Sequence, residues 1–165
     1  MKTYAHINAA GEIKGIGMIY FETGSLTPEV AALVKDLGED AGIVAYGNKV
    51  KQDPALTTIV VDTAQLPGGN GFTYDKLFRN AFKHGGGMKI DIDLPKAKLI
   101  THDKRRVKRA AELAPLDIEA TIPAKAAQAE AARQTIRDKY ATLQTEIDAA
   151  ASADQLKAII VREVL

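Results

Sequence analysis

The sequence has no cysteine, and this absence removes several kinds of chemistry at once. Without a thiol the chain cannot form disulfide bonds, thiolate metal sites or a cysteine nucleophile. A surplus of charge is also lacking, since 22 basic and 21 acidic residues give a formal net charge of +1. A protein that is steered as a whole towards DNA or an anionic membrane carries a much larger field. Any electropositive site in this chain must therefore be local.

Long apolar runs are missing as well. No stretch approaches the roughly 20 apolar residues that cross a bilayer, and MKTYAHINAAGEIKG at the start lacks the continuous apolar core of a signal peptide. We therefore expect a soluble protein that does not contact membranes. Its 165 residues leave room for one modest core, or for a small domain with a helical appendage.

Aromatic residues are few and unevenly placed, since all four Phe and four of the five Tyr precede residue 85. The glycine-rich first half alternates short apolar runs with turn signals, whereas alanine, glutamine and paired charges in the second half favour helix. We predict an α+β protein. Residues 1–92 are expected to form a small antiparallel or mixed sheet with one short helix, and residues 93–165 a helical hairpin with a short terminal helix.

The first half carries both helix boundaries and strand signals. A short amphipathic helix is predicted from Pro28, after an N-cap at Thr27, to the residue before Gly38. A helical turn is predicted over residues 74–82. The predicted strands are residues 3–7, 13–21, 42–46, 57–62 and 88–92.

The second half predicts three helices. The first is expected to begin after an N-cap at Asp93 and to end or kink at Pro115. The second begins near Pro123, and Ser152 with Gln155 resembles a capping box that opens the third. The second helix has an apolar stripe at three- and four-residue spacing, made of Ala129, Ala132, Ile136, Tyr140, Leu143, Ile147 and Ala150.

A dense basic run, THDKRRVKRAAELAPLD, lies on the first of these helices. At about 100° per residue its five cations cover one side, whereas Ile100, Val107, Ala111 and Ala114 cluster on the other. We predict that the apolar side faces inward, so that the helix-packing stripe of the hairpin is Ile100, Val107, Ile136, Tyr140, Leu143 and Ile147. The outward basic face is the candidate protein-contact site, made of Lys104, Arg105, Arg106, Lys108 and Arg109.

Three interpretations of the basic face remain open. The simplest is a solvated helix face, and a contact with an acidic protein surface is the next. A phosphate contact is less favoured, because no aromatic residue interleaves with the cations to stack a base and no recognition-helix signature accompanies them. Nucleic acid is therefore an unlikely partner.

No residue pattern predicts catalysis or a bound metal. His6, His84 and His102 lie on different elements without the spacing of a helical zinc pair. Asp91 and Asp93 fit the exposed side of a strand and a helix N-cap. The glycine runs lack the Gly-Lys-Ser/Thr that completes a phosphate loop. We predict a non-enzymatic protein without a cofactor or metal.

Several motifs follow one another within residues 77–160. They are the aromatic segment Phe78-Arg79-Asn80-Ala81-Phe82, an alternating acidic strand, and a helix with Lys96-Ala97, His102 and Arg105-Arg106 that leads to Leu116-Asp117. In this combination they resemble the C-terminal part of small proteins encoded in the tail modules of tailed bacteriophages and prophages. In that family Trp commonly stands at the position of Phe82.

The resemblance implies a non-enzymatic virion protein of the tail or baseplate, made in the host cytoplasm. Such a protein acts as a structural or adaptor subunit through contacts with other tail or baseplate proteins, in an oligomeric assembly. Two alternatives stay open: a tail assembly chaperone that is absent from the particle and, less favoured, a phage protein that contacts nucleic acid through the basic helix. The resemblance assigns no catalytic residue.

Overall fold

A computed structural model describes residues 2–17, 26–69 and 75–163. The chain divides into two compact units, Met1–Asp93 and Leu94–Leu165, a division one residue beyond the predicted boundary. The first unit holds the strands and two helices, and the second consists of helices. The predicted α+β class, with a sheet before the helices, is confirmed.

The main sheet of the first unit has three antiparallel strands in the order β2-β1-β3. They are β1 (Lys2–Ile7), β2 (Ile13–Gly17) and β3 (Thr57–Asp62). The predicted hairpin and the predicted strand 57–62 are thus confirmed, although the rest of the second arm lies outside the described residues. His6 pairs with Gly15 and Ile7 with Ile13, so Lys14 is an extra residue that bulges from β2.

A second hairpin, β4 (Phe82–Gly86) and β5 (Lys89–Ile92), follows the short 3-10 helix Arg79–Ala81. This 3-10 helix replaces the helical turn predicted over residues 74–82, of which Tyr74 lies outside the described residues. Gly86, the last residue of β4, and Gly87, the first residue of the turn, have φ of 96° and 56°, a region that favours glycine. The strands share a core of Ala5, Val61, Leu66, Phe82 and Ile90.

Helix α1 (Pro28–Leu37) has the predicted boundaries. The Thr27 hydroxyl accepts a hydrogen bond from the backbone N–H of Val30, and Gly38 follows the last turn at φ 83°. Such a conformation lets the chain reverse without the steric cost that a Cβ would impose. The chain can therefore begin a second helix at once.

Residues 42–46 form part of that second helix, α2 (Glu39–Val50), and the strand predicted there is wrong. A short apolar run fits a strand and a buried helix turn equally well by its pattern. Here Glu39 and Asp40 lie in the first turn, where acidic side chains interact favourably with the helix dipole. Ile43 and Gly47, one turn apart, are both buried against the rest of the unit.

The second unit contains α3 (Leu94–Glu119), α4 (Ala126–Ala149) and α5 (Ala153–Glu163). Pro115 lies inside α3, so the prediction that the helix ends there is wrong. The proline has no N–H to give the carbonyl of Ala111, and both residues are exposed. Water can satisfy that carbonyl, and α3 continues to Glu119, after which the N–H of Ala120 lies 2.9 Å from the carbonyl oxygen of Leu116.

Helices α3 and α4 form the predicted antiparallel hairpin. Contacts between them run from Lys98–Asp148 at one end to Asp117–Arg133 at the other. Helix α5 packs on both and buries Leu156, Ile159 and Ile160. At its start the Gln155 N–H lies 3.3 Å from the Ser152 hydroxyl, while the Gln155 side chain accepts from the N–H of Ala151 at 2.6 Å. This arrangement is close to the predicted capping box, in which the Gln155 side chain would accept from the N–H of Ser152 instead of Ala151.

Gly42→Ala tests how closely α1 and α2 approach. A Cβ at this position would lie 2.7 Å from the Cα of Val34, which belongs to the backbone and cannot move aside cheaply. We expect a loss of about 1–2 kcal/mol in the free energy of unfolding, because overpacking outweighs the gain of about 1 kcal/mol from helix propensity. Urea titration measures this.

The matched control is Gly15→Ala. The nearest atom to an added Cβ there is His6 Cδ2 at 3.5 Å, an ordinary contact. The control is expected to stay within about 0.5 kcal/mol of the wild type. Equal losses in both variants, or a stabilised Gly42→Ala, would contradict the close approach of the two helices.

Candidate interaction surface on helix α3

Helix α3 packs against its bundle through the side that was predicted to face solvent. Its buried residues are Ala97, Thr101 and Arg105, four residues apart. Val107, predicted to face inward, has 72% of its surface exposed, and Ala111 and Ala114 are exposed as well. Ile100 is half-buried. The predicted inward stripe on α3 is therefore wrong, and the helix packs on the side that carries most of the cations.

Arg105 is the most informative of these inward cations. It is only 7% exposed, and its Nη1 donates a hydrogen bond of 2.8 Å to the carbonyl oxygen of Tyr140 on α4. Burial lowers the pKa of Arg105, nearby Arg106 and Arg109 lower it further, and Asp148 opposes them. A guanidinium still keeps its proton at neutral pH. A buried positive charge thus lies in the seam between α3 and α4.

A second polar contact joins the middle of the two helices. The Tyr140 hydroxyl donates a hydrogen bond of 2.9 Å to the carboxylate of Glu112, whose oxygen also lies 3.4 Å from Nζ of Lys139. Tyr140 is 1% exposed. Burial, followed by the bond to Glu112, raises the pKa of its phenol.

Two contacts converge on the last turn of α4. Nζ of Lys98 donates to the carbonyl oxygen of Asp148 at 2.6 Å, and Nε2 of His102 lies 2.9 Å from the Asp148 carboxylate. The carbonyls at a helix C-terminus carry partial negative charge, so a lysine is favoured there. These contacts fasten the start of α3 to the end of α4.

The other four cations of the predicted contact face do not form a solvent-exposed basic surface. Lys104, Lys108 and Arg109 are half-buried, and no ion pair is found for them among the described residues. Arg106 is exposed and forms an ion pair with Asp103 in its own helix. Of the five predicted contact residues, only Arg106 is thus fully accessible, and Arg105 is unavailable for any surface contact.

The α4 side of the predicted packing stripe lies where it was expected. Tyr140, Leu143 and Ile147 are buried, and Ile136 is half-buried. The predicted stripe is therefore correct on α4. On α3 small and polar side chains take the place of the predicted apolar residues in the seam between the two helices. Ala97 and Thr101 allow a close approach, and the Thr101 hydroxyl donates to the carbonyl of Ala97 at 2.8 Å.

The solvent side of α3 carries the apolar residues that the hairpin does not use, and we call it the outer apolar face. Leu99, Val107 and Ile118 are 61%, 72% and 70% exposed. At about 100° per residue they share an arc of about 120° with three exposed alanines, and the face is about 28 Å long. The face consists of Leu99, Val107, Ala110, Ala111, Ala114 and Ile118.

Sequence reasoning missed this face because it assumed that the more apolar side of a helix points inward. One signal was present in the sequence. Ala97 and Thr101 lie one turn apart and have small side chains, so this side of α3 can approach a neighbouring helix more closely than the side with Leu99 and Val107. The inward direction of Arg105 had no sequence signal, because its acceptor is a backbone carbonyl.

Each of the three histidines has its own local contact. Nδ1 of His6 is 3.2 Å from the Thr58 hydroxyl, and Nε2 of His84 is 3.0 Å from the carbonyl oxygen of Gly87. His102 contacts Asp148. Within the described ranges, no group of three or more His, Asp or Glu side chains is arranged to hold a metal ion.

Comparison with known proteins does not assign the chain to a family. No protein-family model matches the chain, and neither curated proteins nor solved structures gave a match. Among the described residues, none of the helices combines the length and the apolar character needed to span a bilayer.

Tyr140→Phe tests the seam between α3 and α4 through its pH dependence. Because the pKa of Tyr140 is raised above its ordinary value of 10.0, the folded state resists losing this proton. The stabilisation is fully present below about pH 10 and disappears as the pH rises towards the folded pKa, at up to about 1.4 kcal/mol per pH unit. We expect urea unfolding of the wild type to show this alkaline loss and that of the variant to lack it.

The comparison at neutral pH separates the hydrogen bond of the Tyr140 hydroxyl from its ionisation at alkaline pH. There the variant should lose only the bond to Glu112, about 1–2 kcal/mol. Tyr4→Phe, in the first unit, is the control and should keep the alkaline loss that Tyr140 produces. If wild type and Tyr140→Phe lose stability in parallel as the pH rises above about 10, Tyr140 is not held as described.

Proposed function

We propose that the chain is a non-enzymatic structural or adaptor subunit of a bacteriophage tail or baseplate. It works through protein–protein contacts in an oligomeric assembly, and it reaches the tail region of the virion after synthesis in the host cytoplasm. The observation that carries the proposal is the outer apolar face of α3, where Leu99, Val107 and Ile118 are largely exposed.

The energetics of α3 support a role for this face in binding. Burial of apolar surface is favourable by about 25 cal/mol per Å², whereas a buried guanidinium has lost its hydration. Arg105 and Arg109 also have a buried Nε without an acceptor among the described residues. A chain that turns its cations inward and its apolar side outward breaks a general rule of packing, and such exceptions are typical of functional sites. Contiguous exposed apolar surface is likewise typical of protein contacts.

The resemblance of residues 77–160 to tail-module proteins supplies the context of the proposal. Most of its motifs lie on the helix that carries the face, since Lys96-Ala97, His102, Arg105-Arg106 and Leu116-Asp117 all belong to α3. Ala97 and Arg105 belong to the buried side of that helix. The shared residues therefore include those that turn the outer apolar face towards solvent.

No observation favours the nucleic-acid alternative. A protein that follows a phosphate backbone presents several accessible lysines or arginines in a row. In α3 only Arg106 of the five clustered cations is exposed, and it is already paired with Asp103. A protein contact through the outer apolar face accounts for the exposed apolar residues of α3, which a nucleic-acid contact does not explain.

Quantitative mass spectrometry of purified particles tests the proposal. We expect the wild-type chain in a constant ratio to the other tail proteins. Val107→Glu, which places a charge on the outer apolar face, should reduce incorporation at least tenfold, because a carboxylate does not enter an apolar interface without a large penalty.

Val161→Glu on α5 is the matched control, because Val161 is 60% exposed and lies outside the face. It should be incorporated like the wild type. A chain that is abundant in infected cells and absent from particles would contradict the structural role and favour a tail assembly chaperone.

A further inference from the structure

Four cations lie together on one side of α3, and none of them is fully exposed. Arg105 is buried and the other three are half-buried. At about 100° and 1.5 Å per residue they share an arc of about 140° and about 8 Å along the helix axis. We call Lys104, Arg105, Lys108 and Arg109 the inward cation cluster.

The cluster has little negative charge of its own. Nη1 of Arg105 donates to the carbonyl oxygen of Tyr140, which is an acceptor without a formal charge. For the side chains of Lys104, Lys108 and Arg109, no ion pair is found in the part of the chain that the structure describes. Cations that have lost part of their hydration without gaining a counter-charge are unfavourable.

Two carboxylates at the same seam are already engaged. Glu112 accepts a hydrogen bond from the Tyr140 hydroxyl, and the Asp148 carboxylate lies 2.9 Å from Nε2 of His102. Burial lowers the pKa of Arg105, the neighbouring arginines lower it further, and Asp148 opposes them. Positive charge therefore exceeds negative charge around Arg105.

Two hydrogen-bond donors of the cluster point to the kind of ligand that is needed. Nε of Arg105 and Nε of Arg109 are both buried, and neither has an acceptor among the described residues. The two arginines are four residues apart, so their side chains start about 6 Å from each other on the same side of the helix. A single ligand with several acceptor oxygens can satisfy both N–H groups, which would otherwise remain buried without a partner.

A tetrahedral oxyanion has the required chemistry. Guanidinium groups match the oxygens of a phosphate closely, and a lysine ammonium adds a positive point charge. Lys108 lies three residues after Arg105 and next to Arg109, so the three side chains form a triangle on the helix surface. A long polyanion needs a row of accessible cations, whereas these four are at least half-buried. A small free ion fits the cluster better.

We propose that the inward cation cluster binds an inorganic phosphate ion, which accepts hydrogen bonds from the Nε–H groups of Arg105 and Arg109 and ion-pairs with Lys108. Lys104 adds to the positive field. The bound ion neutralises part of the charge in the seam and stabilises the orientation of α3. The site lies on the side of α3 away from Val107, so it goes beyond the proposed function and does not depend on what the outer apolar face contacts.

Phosphate binding by the full chain is measured by calorimetry and by thermal unfolding. We expect a Kd below about 1 mM. In about 20 mM phosphate the melting temperature should be at least about 4 °C higher than in chloride of the same ionic strength, because the ion binds the folded state. Equal melting temperatures in phosphate and in chloride would overturn the site.

Arg109→Gln removes one of the two arginines, and Arg106→Gln is its matched control. Both variants lose one positive charge from the same turn, but Arg106 is exposed and paired with Asp103. The Kd for phosphate should rise at least tenfold in Arg109→Gln, because a charge-assisted hydrogen bond is lost, and should stay within about twofold in Arg106→Gln. Equal weakening in both variants would reduce the effect to net charge and overturn the proposal.

The stability of Arg109→Gln separates binding from folding. In chloride this variant should unfold at the same temperature as the wild type or higher, because it loses a cation that has no partner among the described residues. In phosphate the wild type should unfold at the higher temperature. A variant that is less stable than the wild type by the same amount in both solutions would assign Arg109 a purely structural role and overturn the site.

AMP distinguishes a free ion from the phosphoryl group of a larger molecule. It should bind at least tenfold more weakly than inorganic phosphate, because the cluster is half-buried and α3 has no aromatic residue on which a base can stack. Binding of AMP that is as tight as that of phosphate, or tighter, would overturn the free ion as the ligand.

Discussion

The guanidinium of Arg105, buried between α3 and α4, decides which side of the long helix faces its own bundle. Its bond to the carbonyl oxygen of Tyr140 places Ala97 and Thr101 in the same seam and leaves Val107 in solvent. Any rotation of α3 that buried Val107 would carry Arg105 out of this position. The contacts of Lys98, His102 and Glu112 with α4 all require the same orientation.

This orientation links the packing of the second unit to its proposed function. Charged side chains close to the seam are partly satisfied by carbonyls and carboxylates of α4, and the apolar side chains of α3 remain available for another protein. A stable bundle with the opposite arrangement would bury Val107 and Ile118 and leave α3 with an ordinary solvated basic face. The exposed apolar surface is therefore a consequence of how Arg105 is bound, and contact through that surface is what a structural subunit needs.

Local chemistry predicted much of the fold. Thr27, Pro28 and Gly38 predicted the bounds of α1, and Ser152 with Gln155 predicted the start of α5, because caps depend on neighbouring residues. Residues 42–46 were predicted as a strand because a short apolar run does not distinguish strand from helix, and the close α1–α2 approach at Gly42 is a tertiary effect. The α4 half of the packing stripe was correct. The α3 half was wrong, because hydrophobic periodicity distinguishes the two sides of a helix but does not say which of them packs against its own bundle.

The orientation of α3 is the central claim, and thiol reactivity measures it directly. Single-cysteine variants Thr101→Cys and Val107→Cys are compared at nanomolar concentration, where self-association is negligible. Thr101 is fully buried and Val107 largely exposed, so we predict that the cysteine at 107 reacts at the rate of a free thiol while that at 101 is protected until the unit unfolds. Rapid reaction at 101 with protection at 107 would mean that the apolar side of α3 faces its own bundle, and would contradict this account.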